Sequence, residues 1–175
     1  MHLHLTKQQW SGILKWTLYA FFTLFVYLTQ SILCAQHPIF GCKLILVPAV
    51  LVCICIREGA ERGGLFCLIA SVVLCLAQTD GGSLSVALLT VLAILSTVLC
   101  RSVLTNGLWS VALCCFAVSS LNETAVLFFH CVLDRAAISN LWRVALPACV
   151  LSVPICPLFY ITVKAIGKIG VRYGV

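Results

Sequence analysis

Charge is what this chain has least of. Lysine and arginine number 11, aspartate and glutamate only 5, and together they make 9% of the 175 residues. A soluble domain carries about 25% charged residues, and a surface this poor in charge would aggregate in water while lipid would accept it. Catalytic signatures are missing as well. There is no glycine-rich phosphate loop before Lys-Ser/Thr, no His-Glu-x-x-His, and no pair of carboxylates on one helix face. Neither a catalytic residue nor a cofactor is therefore expected. The 11 basic residues are scattered at the ends of apolar runs, so they form no stripe that would follow a nucleic acid. The apolar runs lack the alternation of a membrane β-barrel.

What fills the chain instead is hydrophobic sequence, 62% of it. The runs are 15 to 25 residues of near-continuous Leu, Val, Ile, Ala and Cys. About 20 residues at 1.5 Å rise span the roughly 30 Å hydrocarbon core. In that medium each backbone polar group must be paired internally, which leaves helices as the solution. The expected fold is all-α, a polytopic membrane bundle of six transmembrane helices, with residues 1–175 forming one integral membrane domain. The first run lacks a small-x-small exit site and reads as a retained span.

The expected spans are 13–33, 40–56, 63–77, 83–100, 108–133 and 144–162. Trp10 and Trp16 sit where aromatic anchors meet the headgroups. Gln36-His37-Pro38 closes the first span, because the residue before proline disfavours the helical region. Pro48 inside the second span predicts a kink. Gly59, Gly63, Gly64, Ala70, Ser71 and Ala77 supply small residues for close helix packing along the third span. Ser83, Ala87, Thr90, Ala93 and Thr97 form a matching stripe on the fourth. Pro147, Pro154 and Pro157 predict a bent or broken last helix, followed by a basic tail of Lys164, Lys168 and Arg172. With six spans, one side collects Lys7, Lys15, Arg57, Arg62, Arg101, Lys164, Lys168 and Arg172, while the other holds Lys43, Arg135 and Arg143. The excess of basic residues in cytoplasmic segments then places both termini in the cytosol.

Two places carry polar residues that could do more than anchor. The loop 57–62, Arg57-Glu58-Gly59-Ala60-Glu61-Arg62, pairs its signs. It reads either as a local ion-pair cluster at the headgroup surface or as a partner-binding site of Arg57, Glu58, Glu61, Arg62 and Gly63. The middle of the fifth span contains Asn122 and Glu123, with His130 seven residues on from Glu123, about 10 Å along the helix. A carboxylate at membrane depth is costly and faces protein or water. These three residues read as a buried polar site, serving either as structural glue or as a contact for a ligand or partner. Asn122-Glu123-Thr124 also spells a glycosylation acceptor, but its place inside an apolar run argues against use. The 12 cysteines lie mostly within apolar runs and read as small apolar fillers, and Cys53 and Cys55 fall on different helix faces, a poor start for a metal site.

The run Val47-Pro48, then Arg57-Glu58-Gly59, Gly63-Gly64-Leu65-Phe66, Ile69-Ala70 and the Asp80-Gly81-Gly82 turn resembles the MreD family of bacterial rod-shape-determining membrane proteins. Ala145-Leu146-Pro147 through Val153-Pro154 to Pro157-Leu158-Phe159-Tyr160 resembles that family's closing segment. One departure is that Val72-Val73-Leu74-Cys75 stands where the family commonly has an acid, none appearing before Asp80. The resemblance implies a non-enzymatic part of the peptidoglycan elongation machinery in the bacterial inner membrane. It also implies an MreC-like protein, the actin-like MreB and the RodA–penicillin-binding-protein synthase as partners, beside membrane lipid. That family resembles in fold the substrate-binding membrane subunits of energy-coupling-factor vitamin transporters, which supply the alternative function. The bulky Phe21-Phe22 and Phe25 of the first span count against that alternative.

Overall fold

The apolar runs lack the alternation of a half-buried strand, and helix is what they form among the described residues. The computed structural model describes residues 7–36, 46–77, 83–102, 107–134 and 153–172. Among them the elements are α1 (Lys7–Gln36), α2 (Val47–Glu58), α3 (Ala60–Ala77), α4 (Ser83–Ser102), α5 (Leu108–Asp134), a short 3-10 turn (Val153–Ile155) and α6 (Cys156–Arg172). No strand occurs among the described residues, so the chain is all-α there. Two helical stretches, Trp10–Ile32 and Leu108–Val126, are long and apolar enough to cross a membrane, and Ala87–Ser102 is a shorter apolar stretch.

The bundle is organised around the shortest α-helix among the described residues. α2 has 12 residues, about 18 Å of helix, and every residue from Val47 to Ile56 is buried. α1, α3, α4, α5 and α6 all pack on it. A helix that is apolar all round is stable only when surrounded, and α2 is surrounded.

Its start corrects the expected kink. Pro48 lies in the first turn of α2, where the backbone N–H has no intrahelical acceptor to lose, so proline fits without bending the helix. Two of the free N–H groups at this end are met from α1. The Gln30 side-chain oxygen accepts hydrogen bonds from Leu46 N at 2.9 Å and Val47 N at 3.1 Å.

Its end corrects the expected loop. Arg57 and Glu58 are the last residues of α2, and Glu61 and Arg62 already belong to α3. Gly59 alone joins the two helices, at φ 100°, a backbone conformation that glycine adopts without steric penalty. The antiparallel hairpin closes tightly after it. A Cβ placed on Gly63 would lie 2.6 Å from Cys55 Cα, and one on Gly64 would lie 2.9 Å from the Ile94 side chain. The two glycines therefore serve different neighbours, Gly63 the backbone of α2 and Gly64 a side chain of α4. The stripe expected on α4 is buried at Thr90, Ala93 and Thr97, but Ala87 is exposed. The Thr97 hydroxyl donates back to Ala93 O of its own helix at 2.8 Å.

The last helix runs past its expected end at 162. The turn at Val153–Ile155 holds Pro154, Pro157 falls in the first turn of α6, and the helix then runs unbroken to Arg172. Lys164 and Lys168 are thus turns of a packed helix, not a tail. Pro147 and the rest of the expected bend lie outside the described residues, as do His37, Lys43, Asp80 and Arg143.

Candidate functional site

Charged residues from several helices gather at one end of the bundle. Lys15, two turns into α1, donates to Glu58 Oε2 at 2.6 Å across 43 positions of sequence. Tyr19, one turn further along α1, is fully buried and donates its hydroxyl to Glu58 Oε1 at 2.8 Å. The Val163 carbonyl of α6 lies 3.4 Å from the same hydroxyl. One carboxylate therefore ties the start of α1 to the end of α2, and the tyrosine that reaches it also touches α6. Trp16 and Phe66 pack on Tyr19, with ring centroids 5.7 and 6.3 Å away, and shield the pair from one side. Lys15 Nζ also stands 5.3 Å over the Trp16 ring, a distance at which the ring's negative face favours the ammonium.

Around this knot two arginines lie on glycine. Arg101, from the last turn of α4, lays its guanidinium against Gly59, so that a Cβ there would meet Nη2 at 3.1 Å. Arg57 reaches the other way, and a Cβ on Gly167 of α6 would meet its Nε at 3.1 Å and the Tyr19 hydroxyl at 3.1 Å. Any larger residue at either glycine would displace a guanidinium.

The five residues expected to bind a partner are thus divided. Glu58 is taken up inside the protein by Lys15 and Tyr19, and Gly63 is buried against Cys55. Arg57, Glu61 and Arg62 stay exposed. The ion pair expected within 57–62 is made instead with a residue of α1. No local pattern pointed to that partner, since Lys15 reads in sequence as an anchor at the end of a span.

The second expected site is placed only in part. Asn122 is buried and its Oδ1 has no hydrogen-bond partner, while its amide bonds the half-buried Glu123 beside it. The neighbouring hydroxyls are spent on their own helix, Ser120 donating to Ala117 O at 3.0 Å and Thr124 to Ser120 O at 2.7 Å. His130 lies on the same helix, and its side chain is outside the described residues. Asn122 is the one described Asn near Glu123, and an amide of the same shape at position 123 keeps an acceptor for it. Glu123→Gln should accordingly change the stability read from thermal melting in detergent by less than about 1 kcal/mol. A large loss would mean that the negative charge itself holds the bundle together.

The thiols line the contacts of α2. Cys53 Sγ is 3.6 Å from Cys115 Sγ of α5, and the Cys115 thiol points at Ala49 O, also at 3.6 Å. Cys55 faces the other way, towards Cys67 of α3 and Thr97 of α4. No disulfide joins the cysteines whose side chains are described, and no group of three or more His, Cys, Asp or Glu is placed to hold a metal ion among the described residues. Small, polarisable and apolar, they fill the space where helices approach.

No protein-family model, curated protein or solved structure matches the chain.

Proposed function

We propose that the protein is an integral membrane bundle of six helices with both termini in the cytosol, and that it acts as a non-enzymatic scaffold of the MreD kind in bacterial cell elongation. The membrane part of this reading is supported by the polarity of the fold. Thr23, Ser71, Thr90, Thr97, Ser119 and Asn122 are buried, whereas Phe21, Phe25, Leu65, Leu76 and Val91 are exposed, with Leu76 exposed to 84%. Water would reverse that arrangement; hydrocarbon rewards it.

The scaffold part is carried by one observation. The residues that bear the MreD resemblance are the ones on which the α2–α3 hairpin depends: Pro48 in the first turn, Gly59 at the corner and Gly63 against the α2 backbone. The motif is thus a packing motif, and it offers no reactive group. Arg57, Glu61 and Arg62 remain on the rim of that hairpin, where a cytoplasmic or membrane partner could reach them.

Isolation of the tagged protein in mild detergent tests the reading. An MreC-like protein or the RodA–penicillin-binding-protein synthase is expected to come with it, and the triple variant Arg57→Ala, Glu61→Ala, Arg62→Ala should lower that recovery. The buried, unpartnered Asn122 Oδ1 favours a second reading, a vitamin-binding membrane subunit. Co-isolation of transport ATPase subunits or of a bound vitamin would replace the first reading with it.

A further inference from the structure

We draw no further inference here: the strongest candidate, the thiol contact of Cys53 on α2 with Cys115 on α5 at 3.6 Å, is fully buried in the apolar core, where a thiol is inert, and nothing in the structure shows what would oxidise or ligate it.

Discussion

Gly63→Leu should abolish the folded bundle, and Gly63→Ala should already destabilise it by about 1–3 kcal/mol. The reason is the kind of atom in the way. A Cβ at position 63 would lie 2.6 Å from Cys55 Cα and 3.1 Å from Cys55 O, and a backbone cannot step aside as a side chain can. The α2–α3 hairpin would have to open, and with α2 packed against every other long helix the opening would spread. Gly64→Ala meets only the Ile94 side chain, at 2.9 and 3.0 Å, which has other rotamers, so its cost should be smaller. Gly12→Ala is the control. Nothing lies within 4 Å of a Cβ there, and alanine in a helix is favoured over glycine by roughly 0.5–1 kcal/mol. Thermal melts of the four proteins in one detergent should rank Gly12→Ala highest, then the parent, then Gly64→Ala, then Gly63→Ala. Equal melting of Gly63→Ala and the parent would mean that α2 and α3 are not in backbone contact.

Glu58→Ala should be the costliest single change at the polar end. It leaves the Lys15 ammonium and the Tyr19 hydroxyl without their acceptor, and Tyr19 is fully buried. Breaking a buried ion pair costs about 3–5 kcal/mol. Here the side chains of Lys15 and Glu58 keep 16% and 10% exposure, and lysine can extend towards the headgroups, so about 2–3 kcal/mol is the expected loss. Glu58→Gln preserves an acceptor for Tyr19 and should cost less. A double-mutant cycle with Lys15→Met isolates the ion pair, and its coupling energy should be well outside additivity. Additive effects would show that Lys15 and Glu58 do not hold α1 to α2.

What could be read from the sequence, and what could not, follows from how apolar residues are distributed along it. Some helix ends were legible because turns interrupt apolar runs: the fifth apolar run, expected at 108–133, is helix Leu108–Asp134, and the first, closed by Gln36-His37-Pro38, ends at Gln36, whereas the last helix runs to Arg172, past its expected end at 162. Which face of a helix meets which neighbour was not. In α3, Leu65, Ile69 and Val73 are exposed while Gly63, Cys67 and Ser71 are buried, and in a helix that is apolar on every side an apolar residue carries no signal of which side it takes. Small residues gave the better guide. Gly63 and Gly64 were legible as packing positions, although the division between α2 and α4 was not.

The polar end shows the same limit. Arg57, Glu58, Glu61 and Arg62 look like one loop in sequence because charge and glycine cluster there. Gly59 alone makes the turn, and the two pairs of charged residues stay helical on either side of it. Glu58 then finds its partner in α1, where Lys15 had the spacing of an anchor only. Pro48 misled for a simpler reason: the proline was legible, but the start of the helix around it was not, and one turn decides between a kink and a favourable first turn.

Reporter tags on the two ends test the central claim most directly. If the chain crosses the bilayer six times with its basic end inward, a membrane-impermeant label applied to intact cells should reach neither tag, and both should label once the cells are opened. Labelling of either end from outside would contradict the orientation, and with it the inward-facing rim of Arg57, Arg101, Lys164 and Lys168.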